Sequence, residues 1–226
     1  MKKINSDTDF ISLMDNFENK TVIDVGCGSG NLVRWFAGQK AIVTGIDIEP
    51  MLSRAKAEQP VNDETYKFGV GENLPVENNF ADYIFYVASF HHIPFDKMQV
   101  GISECKRVLK QNGKAVFIEP VPREDSYYQL VRLLDDEKQL QQRTVAILDS
   151  SISNDFKEIS EDYYYFERSL NDYKNLLEFF EDDPAVRKKC FSEAEKITKD
   201  LAVKNNINEE EVRYKSIIRV NVFEKY

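Results

Sequence analysis

A short apolar run breaks into three glycines at alternating positions in the segment VIDVGCGSG, residues 22–30. Gly26, Gly28 and Gly30 suit a backbone that turns sharply and approaches a ligand without an intervening Cβ. A second apolar run, residues 41–46, ends in a lone acid, Asp47. In α/β nucleotide sites, a carboxylate at the tip of the neighbouring strand binds the two ribose hydroxyls. The pairing therefore predicts a nucleoside-binding site.

Two other kinds of glycine loop fit the spacing less well. A dinucleotide-binding loop needs G-x-G-x-x-G, but here the position of the last glycine is occupied by Asn31. A phosphate-binding P-loop needs Lys followed by Ser or Thr, and the loop contains no such pair. Nothing in this loop is therefore built to neutralise a phosphate.

The elements that must position these residues alternate between strand and helix. Strands are predicted at residues 22–25, 41–47, 65–70, 83–88 and 114–119, and helices at residues 10–17, 31–38 and 96–110. This alternation predicts an α/β, doubly wound, mostly parallel sheet, whose ligand crevice lies at the carboxyl ends of the strands.

The second half of the chain has a different pattern. Residues 121–160 and 171–208 are mostly helical in spacing, and Asp183-Pro184 indicates a helix N-cap followed by a first-turn proline. The tyrosine run at residues 163–166 indicates a sixth strand. Residues 212–223 alternate in polarity and predict a half-exposed seventh strand at or near a sheet edge. We expect one domain over residues 1–226, with a helical cap inserted after the fifth strand.

Composition excludes several classes of protein. The chain of 226 residues has 42% hydrophobic residues, which is typical of a globular protein. Its net charge of −9 makes nucleic-acid binding unfavourable. No membrane span or signal peptide is evident, so a cytoplasmic location without a membrane partner is expected. The three cysteines lack metal-ligand spacing, and no metal site is predicted.

Two longer segments extend the motif: GENLPVENNFADYIFYVASFHHI, residues 71–93, and ISECKRVLKQNGKAVFIEP, residues 102–120. Together with the glycine loop and Asp47, they resemble the class I S-adenosylmethionine-dependent methyltransferases, in the small-molecule, type 11-like branch. The resemblance covers roughly residues 21–120. It implies a seven-stranded methyltransferase sheet and S-adenosylmethionine as cofactor.

The resemblance also implies roles for individual residues. Asp24 and the glycine-loop backbone would hold the methionine end, Asp47 the ribose, and Ile48 the adenine. Many relatives have an acid before the third-strand loop that receives the adenine amino group, but this chain has Val70 there. Adenine recognition would then fall to Gly71 and Glu72. The complete set of expected cofactor-binding residues is Asp24, Gly26, Cys27, Gly28, Gly30, Asp47, Ile48, Gly71, Glu72, Ala88 and Ser89.

Candidate catalytic residues follow the fourth predicted strand. His91 and His92 are the two histidines of the chain, and imidazole suits proton transfer near neutral pH. A base is needed only for an acceptor that carries a proton, such as a hydroxyl, and the histidine pair can instead shape the loop. Candidate substrate contacts are His92, Glu119, Tyr163 and Tyr165, although the tyrosines can equally be packing residues.

Three functions remain open from the sequence. The first is methyl transfer to an oxygen, nitrogen or sulfur atom of a small metabolite. The second is methylation of tRNA or protein, which is disfavoured by the acidic charge and by the absence of an Asn/Asp-Pro-Pro-Tyr motif after the fourth strand. The third is a non-catalytic cofactor-binding scaffold. The expected partner is a small-molecule acceptor, and the oligomeric state is open, a homodimer included.

Overall fold

A computed structural model describes residues 1–121, 126–150 and 156–226. The strands are β1 Lys2–Lys3, β2 Thr21–Val25, β3 Ile42–Asp47, β4 Thr65–Phe68, β5 Ala81–Val87, β6 Leu109–Pro120, β7 Phe156–Arg168 and β8 Tyr214–Lys225. The α-helices are α1 Asp7–Ile11, α2 Asn31–Gly38, α3 Met51–Ala57, α4 Met98–Val108, α5 Tyr128–Val131, α6 Lys138–Ser150, α7 Leu170–Phe180 and α8 Pro184–Asn205. Short 3₁₀ turns occur at Phe90–His92, Phe95–Lys97 and Glu209–Glu211.

The sheet has the strand order β1-β7-β8-β6-β5-β2-β3-β4. Strands β2 to β6 pair in parallel, and β8 runs antiparallel to β6. From β2 the chain first builds the sheet outward through β3 and β4, and then continues on the other side with β5 and β6. The order therefore reverses between β2 and β5, which is where a doubly wound sheet opens a ligand crevice. The predicted fold class is confirmed.

Two details of the sequence prediction are corrected. The sheet has eight strands and not seven, because the two-residue β1 pairs with β7, and so short a strand leaves no periodic signal. The first helix covers Asp7–Ile11 and not residues 10–17, since Ser6 caps it through a reciprocal hydrogen bond with Asp9. The helical stretch expected between the second and third predicted strands, for which no bounds were given, is the short helix α3. Helix α2 and the Asp183 cap with its first-turn proline are confirmed.

The last strand was predicted to be half-exposed at or near a sheet edge, and this prediction is wrong. Strand β8 lies between β7 and β6 rather than at an edge, and its residues 218–223 are all buried. The polar residues Arg219 and Asn221 are buried because both have partners: Arg219 binds Asp149 and Glu161, at 2.5 and 2.7 Å, and Asn221 binds a third acid. The alternating polar residues of β8 therefore have buried polar partners and do not face solvent.

The described chain forms two compact units, each discontinuous in sequence. The larger comprises residues 6–121, 140–163 and 218–226, and the smaller residues 1–5, 122–139 and 164–217. The larger unit contains the sheet core around β2, β5 and β6, while the smaller has its own core, formed mainly by α7, α8 and Tyr214. A single domain with substrate-cap segments at 121–160 and 171–208 stays a prediction, and residues 122–125 and 151–155 lie outside the described residues.

Helices α5 and α6 follow β6 along the chain. Among the described residues, none of the helices has both the length and the apolar character needed to cross a bilayer.

Candidate active site

The glycine loop, residues 26–30, connects the end of β2 to the start of α2. Gly26, Gly28 and Gly30 all have positive φ angles, of 73°, 54° and 79°. The loop turns back onto β3, because the backbone N–H groups of Gly26 and Cys27 both donate to the carbonyl of Ile46, at 2.8 and 3.2 Å. The loop is therefore held by main-chain contacts with the neighbouring strand.

Two of these glycines are needed for different reasons. A Cβ added at Gly26 would lie 2.4 Å from the Cβ of Ser89, so the loops after β2 and β5 approach too closely for any side chain. A Cβ at Gly28 would meet no atom within 4 Å. Gly28 therefore needs its left-handed backbone conformation, but it borders open space where a ligand can approach the loop.

Asp47 ties the tip of β3 to the glycine loop. Its Oδ2 accepts a hydrogen bond from the N–H of Gly28 at 2.7 Å, and its Oδ1 accepts one from the N–H of Ile48 at 2.7 Å. Asp47 is half-buried. Since each carboxylate oxygen can accept more than one hydrogen bond, Asp47 can hold the loop and still bind hydroxyl groups of a ligand.

Asp24, the fourth residue of β2, is only 2% exposed. Burial, together with the nearby charge of Asp47, raises the pKa of Asp24 from 3.8 to about 7. Within the described part of the chain, no hydrogen bond to its carboxylate offsets this burial. A buried acid in this state favours a cationic partner, which would stabilise its charged form.

Sequence reasoning missed Arg34, which braces the glycine loop from α2. Its guanidinium donates to the carbonyl of Ser29 at 2.8 Å and to the side chain of Asn31 at 2.9 Å. It also lies 3.5 Å from the hydroxyl of Tyr66 on β4. The sequence feature that could have identified Arg34 is a basic residue one turn into the helix that follows the glycine loop. Among the described residues, no side chain caps the N-terminus of α2, so its amide N–H groups can donate to an anionic group.

The region predicted to hold adenine lies beside the ends of β3 and β4. Ile48 and Val70 are exposed, by 47% and 36%. Gly71 is buried against Ile93, whose Cδ1 would lie 2.5 Å from a Cβ at that position. The carboxylate of Glu72 forms an ion pair with Lys97 at 3.1 Å. Glu72 therefore already has a partner, and the apolar side chains are the more accessible surface.

The loop after β5, residues 88–92, is built around Glu119 at the end of β6; we call it the histidine loop. Oε1 of Glu119 accepts the backbone N–H groups of Ser89, at 3.1 Å, and Phe90, at 2.8 Å. Its Oε2 lies 2.5 Å from Nδ1 of His91. Glu119 and His91 are 4% and 2% exposed. One buried carboxylate thus organises three consecutive residues of this loop.

His91 and His92 occupy different environments. His92 is exposed, and its ring packs against that of His91 with centroids 4.1 Å apart. Ser89 links the histidine loop to β2, because its hydroxyl donates to the carbonyl of Val25 at 2.6 Å. Ala88 is exposed and has a positive φ of 48°. The two predicted loops, after β2 and after β5, therefore meet at Ser89 and Gly26.

The candidate substrate tyrosines divide between the two units. Tyr163, in the larger unit, donates its hydroxyl to Glu161 at 2.7 Å. Tyr165, in the smaller unit, pairs with Lys3 in the sheet, and the Lys215 ammonium lies 4.9 Å from the centre of its ring. The intervening Tyr164 is buried. The tyrosine run alternates as a strand must, so only part of it can face any one ligand.

A family model described as a methyltransferase domain matches residues 23–117. This part of the chain is therefore similar to methyltransferase domains. The bounds of the match nearly coincide with the resemblance inferred from the sequence. The match includes the glycine loop, Asp47 and the histidine loop, and it ends two residues before Glu119.

The chain is also similar to named relatives and, in its fold, to a solved structure. A chloroplastic 2-methyl-6-phytyl-1,4-hydroquinone methyltransferase of Spinacia oleracea is 35% identical over 47% of the chain and 31% of that protein. A ubiquinone biosynthesis O-methyltransferase of Vibrio vulnificus is 32% identical over 47% of the chain and 46% of that protein. The chain thus spans less than half the length of either relative. A putative methyltransferase of Bacillus halodurans shares the fold, with a TM-score of 0.67 at 17% identity, over 98% of this chain and 99% of that one.

Proposed function

We propose that this protein transfers a methyl group from S-adenosylmethionine to a small-molecule acceptor. The observation that carries the proposal is the pair of Asp47 and the glycine loop: one half-buried carboxylate bonds to the N–H of Gly28 and borders the open space over that glycine. This arrangement suits a nucleoside whose ribose binds Asp47. The methyltransferase match over residues 23–117 supports the same ligand.

The remaining cofactor contacts are part of the proposal. The cofactor's methionine end carries an ammonium and a carboxylate. The ammonium would satisfy the buried Asp24, and the carboxylate would meet the uncapped amides at the start of α2. Gly26, Gly28, Gly30, Ala88 and Ser89 would line this end, while Cys27 would contribute its backbone, because its buried thiol has a raised pKa and is inert.

The adenine would lie against Ile48 and Val70. Both side chains are apolar and exposed, whereas Glu72 is paired with Lys97. We therefore assign Glu72 a secondary role, and we propose apolar contact and the backbone at Gly71 as the main source of adenine affinity.

When bound, S-adenosylmethionine supplies a methyl group that is already electrophilic, because it is attached to a positively charged sulfur. The protein then has to align an acceptor with the methyl group and exclude water. The acceptor atom is an oxygen, nitrogen or sulfur. The name of one relative, a ubiquinone biosynthesis O-methyltransferase, favours an oxygen acceptor.

The test is transfer of a radiolabelled methyl group to three acceptor classes in parallel: a soluble hydroquinone, bulk tRNA and an unfolded protein. We expect label in the hydroquinone fraction. Label in tRNA or protein would contradict the small-molecule assignment. Binding of the cofactor without label in any fraction, across a wider metabolite extract as well, would indicate a scaffold.

A further inference from the structure

The two halves of the glycine loop have different supports. The first half, residues 26–28, is held by β3, because its backbone N–H groups donate to Ile46 and Asp47. The second half, residues 29–31, is held by Arg34, whose guanidinium donates to both ends of this segment. Removing the side chain of Arg34 would therefore loosen one half of the loop and leave the other half in place.

The peptide bond between Ser29 and Gly30 is the part that Arg34 fixes. Its carbonyl accepts from Arg34 at 2.8 Å, and its N–H donates to the carbonyl of Cys27 at 2.9 Å. Gly30 has a φ of 79°, and a reversal of this peptide would give it a negative φ, which a glycine adopts just as readily. The backbone by itself therefore does not select one orientation, and the hydrogen bonds at the two ends of the peptide do.

Arg34 is itself held by β4. The hydroxyl of Tyr66 lies 3.5 Å from a guanidinium nitrogen of Arg34. Burial, and then the charge of Glu64, raise the pKa of Tyr66 to about 12, so its hydroxyl keeps its proton and donates to Glu64 at 3.1 Å. The Tyr66 oxygen is then left to accept from Arg34. Gly30 rests on this pair, because a Cβ there would lie 2.5 Å from the Tyr66 oxygen and 2.9 Å from Arg34.

We propose that Arg34 is a positioning residue that keeps residues 29–31 ordered before the ligand arrives and so strengthens binding of the methionine end of S-adenosylmethionine. This inference rests on the proposed function, in which the carboxylate of that end meets the amides at the start of α2. A loop that is ordered in advance loses less conformational freedom on binding, and the difference appears as affinity. Arg34 acts through the loop backbone and not through a contact with the ligand.

The shape of the guanidinium group explains why an arginine suits this position. Its Nη2 donates to Ser29 and Asn31, at 2.8 and 2.9 Å, while its Nη1 lies 3.4 Å from the carbonyl of Ala55 and beside Tyr66. One rigid plane thus spans the loop and its neighbours α3 and β4. A lysine has a single nitrogen on a flexible chain, so Arg34→Lys should keep the charge and lose part of the order.

Calorimetry with two ligands separates loop ordering from general damage. S-adenosylhomocysteine carries the ammonium and the carboxylate, whereas methylthioadenosine has the same nucleoside and lacks both. For Arg34→Met we expect about tenfold weaker binding of S-adenosylhomocysteine, and binding of methylthioadenosine within about twofold of the wild type. Arg34→Lys should lose about threefold for the first compound only. Arg132→Met, at an exposed arginine of the smaller unit, is the control and should bind both as the wild type does.

Amide hydrogen exchange of the full chain without ligand, read by NMR, reports the order of the loop and needs no turnover. In the wild type we expect slow exchange at Gly30, because its N–H is buried and donates to Cys27. In Arg34→Met we expect about tenfold faster exchange at Gly30. Exchange at Gly28 should be unchanged, because its bond to Asp47 does not involve Arg34.

Equal losses for the two compounds in Arg34→Met, or no loss for either, would overturn the inference. Fast exchange at Gly30 in the wild type would overturn it as well, because the loop would then not be ordered in advance. If Arg34→Met does not fold, Arg34→Lys and the wild-type exchange rate decide the question. Failure of the wild type to bind either compound would reject the proposed function instead, and the exchange rates would still decide whether Arg34 orders the loop.

Discussion

The glycine loop and the histidine loop each follow a parallel strand, and each is held by a carboxylate at the end of the adjacent strand. Asp47 of β3 accepts the N–H of Gly28 after β2, and Glu119 of β6 accepts the N–H groups of Ser89 and Phe90 after β5. The carboxylates differ in exposure, because Asp47 is half-buried and Glu119 is 4% exposed.

This difference separates two ways in which an acid can serve a site. Asp47 shapes its loop and keeps an accessible surface, so it can bind a ligand directly. Glu119 is enclosed by the loop that it shapes, so it acts by holding that loop in place. We therefore expect loss of Asp47 to weaken ligand binding more than folding, and loss of Glu119 to do the reverse.

The largest expected effect is on the stability of Glu119→Ala. The change leaves two backbone N–H groups and Nδ1 of His91 without their acceptor in a buried place. We expect a loss of about 4 kcal/mol, since each unpaired buried donor costs roughly 1–3 kcal/mol. Urea denaturation measures it, with Asp47→Ala as the matched variant, for which about 1 kcal/mol is expected. Equal losses in both variants would remove the distinction between the two acids.

Asp24 adds a third acid to the comparison, one that is buried and whose charged form is destabilised. Its pKa is raised from 3.8 to about 7, so between these values the folded state holds a proton that the unfolded state has lost. The folded state is therefore destabilised progressively as pH rises from about 4 to 7, and the loss is complete above pH 7. Without cofactor, we expect Asp24→Asn to be about 3 kcal/mol more stable than the wild type at pH 8.

The pH dependence supplies the control for Asp24→Asn. Its advantage should shrink toward zero as the pH falls to about 4, where the folded wild type and the variant are both uncharged at this position. An advantage independent of pH, measured by thermal unfolding from about pH 4 to 8, would contradict the raised pKa.

Substitutions at two glycines test the contacts of the glycine loop, and we expect their effects on stability to be of intermediate size. Gly26→Ala introduces a Cβ that meets Ser89, and we expect it to destabilise the fold by about 2–3 kcal/mol. Gly28→Ala meets open space, so we expect only the cost of its positive φ, about 1 kcal/mol, together with weaker binding of S-adenosylhomocysteine. If Gly28→Ala binds normally, the ligand does not approach the loop at that point.

The smallest expected effect is at the adenine side. Val70→Asp places an acid at the exposed position before Gly71, and we expect about threefold tighter binding of S-adenosylhomocysteine from one added hydrogen bond. Val70→Asn is the uncharged control. Weaker binding by Val70→Asp would indicate that the adenine lies elsewhere.

The sequence contained enough to predict the fold class, the glycine loop and the partnership of Asp47, because these depend on short-range spacing. It did not reveal the role of Glu119, whose three partners lie 28 to 30 residues away and are defined by the pairing of β5 with β6. It also misassigned β8, because the partners of Arg219 lie 58 and 70 residues distant. Contacts between elements that are distant in sequence decide both cases, and local polarity does not report them.

The central claim is that the glycine loop and Asp47 hold one nucleoside. Calorimetric titration of S-adenosylhomocysteine into the wild type, Asp47→Ala and the exposed-acid control Asp63→Ala tests it most directly. We expect about 100-fold weaker binding for Asp47→Ala, from two lost charge-assisted hydrogen bonds of roughly 1.5 kcal/mol each, and unchanged binding for Asp63→Ala. A wild type that binds nothing, or Asp47→Ala that binds within about threefold of it, would contradict the account.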